Sequence, residues 1–181
     1  MKSVFLGICF ACFLMGYGQN RLNVNATTLV GFPALGYERI VAPHFSFHMD
    51  AIGSVFNTYQ NMPLKFLSIT PEMRWYAKPN ATGFYAGGHL GGSVFELQKY
   101  NYKNTNLYQK GIAYQLGVSL GYVFPISELI AIEAFVGGGS IQSFYKGYDN
   151  TTGNRYDGAK GYNKSGEWLP YRGGITVVFR L

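Results

Sequence analysis

The chain has 181 residues, of which 48% are hydrophobic, 17% aromatic and only 13% charged, with 24 glycines and a net charge of +6. That length suits one domain rather than two, and the aromatic content excludes a disordered, polar chain. Glycine at this density also excludes an ordinary helical bundle, because each one costs about 1 kcal/mol in a helix interior.

The first segment reads as a leader. Lys2 is followed by the apolar run Val4 to Met15, and Gly16-Tyr17-Gly18 then precedes Gln19. This is the layout of a secretory signal peptide, and the run is well short of the roughly 20 residues a spanning helix needs. Residues 1–18 are therefore expected to be removed, leaving a single domain over 19–181. Both cysteines, Cys9 and Cys12, lie in the leader. The mature chain is thus expected to have no disulfide and no cysteine metal site.

Beyond the leader the dominant period is two. From Ile112 to Phe124 the even positions are Ile, Tyr, Leu, Val, Leu, Tyr and Phe, and the odd positions are Gly, Ala, Gln, Gly, Ser and Gly. One face is large and apolar and the other small and polar, which is the signature of a strand. The same reading predicts eight strands, over 22–31, 34–42, 44–56, 65–77, 83–97, 111–125, 129–146 and 168–181. In the last of these, Leu169, Tyr171, Ile175, Val177, Phe179 and Leu181 share the large face, opposite Arg172, Gly174, Thr176 and Arg180. Pro71 and Pro170 lie inside strands, where a missing N–H predicts a bulge or a break.

Alternation does not say which face points inward, but composition does. The polar faces are built from Gly, Ser, Ala and Thr, and the interior of an eight-stranded barrel is just wide enough for side chains. Lysine is absent from the strand centres; Lys65 and Lys110 sit at strand ends. The wide aromatic face is therefore expected to meet lipid, and the sheet must close, because an open edge in hydrocarbon leaves backbone groups unpaired. Alternate links are short (Pro43, 78–82 and 126–128), and the other set, 32–33, 57–64, 98–110 and 147–167, is longer after its first member. Short turns at one end and long loops at the other are the asymmetry of outer-membrane barrels, and both termini fall at the short-turn, periplasmic end.

Several short motifs carry a family resemblance. They are Gly36-Tyr37-Glu38, Pro71-Glu72-Met73-Arg74-Trp75-Tyr76, Gly83 to Gly92, Gly117 to Tyr122, and Ile132-Glu133 through Gly137-Gly138-Gly139. On these the chain resembles the small eight-stranded outer-membrane barrels of the OmpA/OmpX kind, and an uncharacterised barrel family of Gram-negative bacteria. Its C-terminus is similar to the terminal strand signal read by the barrel assembly machinery, with the aromatic at Phe179 and Leu181 last. The resemblance implies an all-β, eight-stranded antiparallel up-and-down transmembrane β-barrel in the outer membrane. It implies no chemistry.

On the inward faces the pattern places Glu38, His48, Asp50, Glu72, Arg74, His89, Glu133 and Arg172. Unpaired buried charge is costly, so these residues are expected to satisfy one another as a salt-bridged plug that fills the barrel, in preference to a proton or ion path. The outer loops offer Tyr100, Tyr102, Lys103, Tyr148, Arg155, Tyr156, Lys160 and Tyr162. Tyrosine among Asn, Ser and Gly makes adaptable contacts, and the lysines suit lipopolysaccharide phosphates.

Neither a Ser-His-Asp grouping nor a phosphate loop is visible, so an enzyme is not expected and no cofactor or metal is implied. The expected partners are the lipid bilayer with its lipopolysaccharide, and the assembly machinery during biogenesis. Nucleic acid is not expected, because the basic residues are spread over loops facing outward. The function expected is that of a monomeric, filled envelope barrel with a structural or interaction role. The alternative is an adhesin that binds an extracellular protein or glycan through 98–110 and 147–167. A lipid-modifying enzyme or a narrow pore ranks below both.

Overall fold

A computed structural model describes residues 19–158 and 161–181. The expected leader, 1–18, lies outside the described residues. The strands are β1 (Asn20–Asn25), β2 (Ala34–Ala42), β3 (Phe45–Gly53), β4 (Thr58–Tyr59), β5 (Met62–Lys78), β6 (Thr82–Leu97), β7 (Leu107–Pro125), β8 (Ile130–Asp149) and β9 (Asn163–Arg180). They form one nine-stranded antiparallel, up-and-down sheet in the order β3-β2-β1-β9-β8-β7-β6-β5-β4. An additional β3–β5 pairing closes the sheet into a ring, and two-residue β4 pairs only with β5, outside that ring.

The strand count and several ends differ from the sequence reading. The first strand stops at Asn25, where the side chain accepts a hydrogen bond from the Thr27 N–H and starts a 3-10 turn over Ala26–Val30. That turn ends at Gly31 with φ of 89°, a left-handed position that favours glycine. The later strands are longer than periodicity suggested, so the outer loops shrink to 98–106 and 150–162. As a result the wall is uneven: β5–β9 run 16–20 residues, against 6–9 for β1–β3.

The prolines act as their missing N–H requires. At Pro71 the β5–β6 ladder is interrupted between Ile69↔Gly92 and Glu72↔His89 without a change of register. At Pro170 the register slips, from Gly137↔Arg172 to Gly138↔Pro170, which is a β-bulge. The bulge overturns one expectation. Leu169 and Tyr171 leave the outer face, and Tyr171 joins Arg172 on the cavity side of the sheet. Alternation cannot report a residue that interrupts it.

The ring is inside-out relative to a water-soluble domain. Leu116 and Val118 are each 66% exposed, and Tyr37, Phe47, Trp75, Phe84, Tyr122 and Phe124 also lie on the outside. Arg21, Glu38, Glu72, Arg74 and Glu133 are buried within. Glycines make this interior possible by leaving space rather than by unusual dihedrals. A Cβ on Gly117 would lie 2.2 Å from the Gly138 carbonyl oxygen, whereas one on outward Gly88 would meet nothing within 4 Å. Gly117→Ala should therefore cost about 1–3 kcal/mol through overpacking, while Gly88→Ala should stay within about 0.5 kcal/mol. Thermal unfolding of the two variants side by side checks the difference.

Candidate functional site

The interior charges meet because of strand register. Cross-strand pairing sets Arg21 opposite Glu38, Glu38 opposite His48, His48 opposite Glu72 and Glu72 opposite His89. One continuous rung therefore crosses β1, β2, β3, β5 and β6 with near-alternating sign, the arrangement in which facing pairs stabilise a sheet. Next along β5, Arg74 sits at the centre of the plug. Its Nε donates to Glu72 Oε2 at 2.9 Å, and its Nη1 lies 3.3 Å from Glu133 Oε1 and 3.7 Å from Glu38 Oε1. The guanidinium also stacks over the Tyr85 ring, 4.5 Å from its centroid.

Hydroxyls complete the carboxylates. Tyr76 Oη donates to Glu38 at 2.7 Å, Ser46 Oγ donates to the same oxygen, and Tyr85 Oη donates to Glu133. Each of these donors pairs a buried carboxylate oxygen that would be costly to leave unsatisfied. Glu72 Oε2 also lies 3.5 Å from His48 Nδ1.

Arg21 was missed by the sequence reading, which began the first strand one residue later. It is fully buried and closes the short-turn end. Its guanidinium donates to the carbonyls of Ala81 and Asn80 at 2.7 and 2.6 Å, and Nη1 lies 3.8 Å from Glu38. Those carbonyls belong to the tight β5–β6 turn, where Asn80 and Ala81 adopt φ of 59° and 48°. The available signal was the alternation Arg21-x-Asn23-x-Asn25. Tyr76 and Tyr85 were missed as well, because tyrosine reads as an apolar residue until its hydroxyl finds a carboxylate.

The other expected interior residues sit above this plug, towards the loops. Arg172 Nη2 lies 3.2 Å from Asp50 Oδ2 and 3.6 Å from Glu72 Oε2. His89 Nε2 shares a hydrogen bond with the Tyr171 hydroxyl at 2.5 Å, and its Nδ1 lies 3.1 Å from Ser119 Oγ. All eight expected interior residues thus face inward; seven share the ion-pair network with Arg21, Tyr76 and Tyr85, and His89 bonds Tyr171 and Ser119 beside it.

The plug occupies only the half of the ring near the short turns. Above it lies a cavity of about 940 Å³, bounded by β3 and β5–β9 and by residues 98–102. A smaller space of about 210 Å³ lies beside the plug, under β1 and β2. Small side chains explain the larger cavity. Ser68, Ser93, Ala113, Ser143 and Ser165 face one another in a single cross-strand row, and none of them reaches the middle.

Most of the loop candidates are engaged by other side chains of the protein. Tyr102 packs against Tyr156 at 5.8 Å, Tyr148 stacks on Tyr108 at 5.6 Å, and Tyr162 meets Phe144 at 5.7 Å. Arg155 pairs with Asp157 at 3.0 Å. Tyr100 is 86% exposed and Lys103 is exposed beside it, while Lys160 lies outside the described residues. Burial and the neighbouring Tyr102 hydroxyl push the Tyr156 phenol up to about 12. Burial pushes Asp157 upward, but the Gly147 N–H and Arg155 outweigh it and hold the carboxyl below its ordinary range. The Thr152 and Thr151 N–H groups hold Asp149 low in the same way.

Residues 4–181 match the family described as "Protein of unknown function (DUF3575)", and the chain belongs to it. No curated protein and no solved structure matches the chain.

Two outcomes follow from this geometry. Glu72 faces Arg74, Arg172 and His48, whereas Glu133 pairs only with Arg74 among the charged groups of the described residues. Glu72→Ala should therefore lower stability by about 3–5 kcal/mol, the cost of leaving buried charge uncompensated, and by more than Glu133→Ala does in parallel denaturant titrations. Asp149, at the end of β8, and Asp157, in the loop 150–162, contribute fully above about pH 4, the ordinary range for aspartate. That contribution is lost as pH falls through their lower folded values. Limited pepsin digestion should accordingly cut 150–162 faster at pH 2 than at pH 4, and Asp157→Asn should remove most of the difference.

Proposed function

We propose that this DUF3575 protein is an eight-stranded up-and-down β-barrel of the bacterial outer membrane, similar to the small OmpA/OmpX-like barrels. In this reading β1–β3 and β5–β9 are the spanning strands and β4 is an appendage of the outer loops. The leader directs export, the termini and short turns are periplasmic, and the protein acts as a monomer with a structural or interaction role at the cell envelope. Its partners are lipid, lipopolysaccharide and the assembly machinery.

The observation that carries this reading is the placement of side chains: large apolar groups outside, charge and hydroxyls inside. In hydrocarbon that order is favourable; in water the outer face would be a contiguous apolar patch far larger than soluble monomers tolerate. Along β7 the outer run Ile112 to Phe124, rising about 3.4 Å per residue and tilted by about 40°, covers about 30 Å, against an apolar band of about 25 Å. Aromatics flank it at both levels. Towards the short turns, Phe45 faces Trp75 and Phe84 faces Tyr122 across neighbouring strands. Towards the loops stand Tyr114, Tyr162 and Trp168. Girdles of this kind mark the two interfaces of a membrane barrel.

Lys110, Lys146 and Lys164 lie on the loop side of the run, where charge meets headgroups rather than tails. The exposed Tyr100 and Lys103 leave room for contact with an extracellular protein or glycan.

The test is direct. The folded protein should migrate differently on a gel before and after boiling, and protease added to intact cells should cut only within 98–106 and 150–162. Recovery of the folded chain from the detergent-free periplasmic fraction would sink the proposal. Because the plug blocks the lumen, planar bilayers containing the protein should stay electrically silent. Steady channel currents in the wild type would overturn the closed-barrel reading.

A further inference from the structure

We propose that the cavity on the loop side of the plug is a binding site for an uncharged amphiphile. This ligand enters head first, with a hydroxyl or primary amide at its polar end. The inference does not depend on what covers the outer face of the ring, because the cavity lies within it. At about 940 Å³ it falls in the range that holds a small organic molecule, about 300–1,000 Å³.

Register grades the wall from apolar to polar. At the mouth Phe66 faces Phe95 across β5 and β6, and Tyr145 stands two strands further on, opposite Gly111. One step deeper lies the serine row, where Gln115 Nε2 reaches Ser68 and Ser93 at 3.5 Å. The floor is the Arg172–Asp50 pair, held at 3.2 Å. A ligand matched to this gradient carries its polar group deepest and its apolar body between the aromatic rings.

The floor sets the charge of that group. Arg172 is paired with Asp50 and backed by Glu72, so neither sign is in excess at the cavity base. Arg172 Nη1 and Asp50 Oδ1 are buried and make no hydrogen bond among the described residues. A donor group and an acceptor group standing side by side at the cavity base suit a head that both accepts and donates, as a hydroxyl or primary amide does. A carboxylate or an ammonium would be drawn by one partner and repelled by the other, so the cost of desolvating its charge goes uncompensated.

The mouth is partly strapped. Lys99 Nζ donates to Ser165 Oγ at 2.8 Å, lies 3.8 Å from Glu167, and sits over the Tyr145 ring at 4.4 Å. Burial lowers the pKa of this lysine, against the opposing pull of Glu167. Tyr100 and Tyr102 from the adjoining loop line the same opening.

The experiment measures binding of octanol, octanamide, octanoate and octylammonium to the mature chain in lipid nanodiscs, by equilibrium dialysis with protein-free nanodiscs subtracted. Octanol and octanamide should bind saturably, and the two ions about tenfold more weakly or worse, as expected when the desolvation of a charge goes uncompensated. Ser93→Trp, which fills the serine row, should abolish binding, while Leu116→Trp on the outer face should leave it unchanged. Asp50→Asn removes the negative partner from the floor and should raise octanoate affinity about tenfold relative to octanamide. That variant keeps the test decisive even if Ser93→Trp fails to fold. Any of three results would overturn the proposal: no saturable binding of octanol or octanamide, equal affinity for octanoate in the wild type, or head-group preference unchanged by Asp50→Asn.

Discussion

Arg74 is the residue on which the interior depends. Four carboxylates, Glu38, Asp50, Glu72 and Glu133, are brought into a narrow ring with Arg21, Arg74 and Arg172. A single guanidinium joins three of those carboxylates, from β2, β5 and β8. Such a cluster is not a large net source of stability, because the cost of desolvating it nearly cancels the attraction. What it provides is specificity. A slip of one residue in any of these strands would turn an acid or a base outward, leaving its partner buried and alone.

The glycines and tyrosines follow from that cluster. Gly87 makes room for the Glu72 carboxylate, Gly121 for the Tyr85 ring and Gly36 for His48, each at a distance no Cβ could share. Tyr76 and Tyr85 bring hydroxyls to carboxylate oxygens the arginines do not saturate, and their rings, 5.2 Å apart, pack the closed end. Below them Arg21 ties the first strand to the β5–β6 turn. Tyr76 and Tyr85 thus serve hydrogen bonding and packing at once, in a ring with few buried aliphatic groups.

The upper half obeys a different rule. Once the rows carry serine and alanine instead of charge and tyrosine, the same ring encloses space. The bulge at Pro170 marks the boundary between the two regimes. It places Tyr171 and Arg172 on the same side of the sheet, one bonded to His89 and the other to Asp50. A proline that cannot donate to the ladder therefore sets where the plug stops and the cavity begins. The tall wall of β5–β9 raises that cavity above the low wall of β1–β3, and Tyr100 and Tyr102 of the loop 98–106 line its mouth.

Most of the strand architecture was readable from residue order alone. Side-chain alternation is a local property, and in segments such as Ile112 to Phe124 it assigns each residue to a face without knowledge of its neighbours. The eight interior charges were legible for the same reason: an acid or base standing on the small, polar face of a strand has only the interior to enter. Three things required the closed sheet. Which charges meet is set by register, a relation between strands that no single segment carries. Leu169 and Tyr171 change face at a bulge, which breaks the very period used to read them. The cavity exists because five small residues on five different strands share one row, and only pairing brings Ser68, Ser93, Ala113, Ser143 and Ser165 to one level.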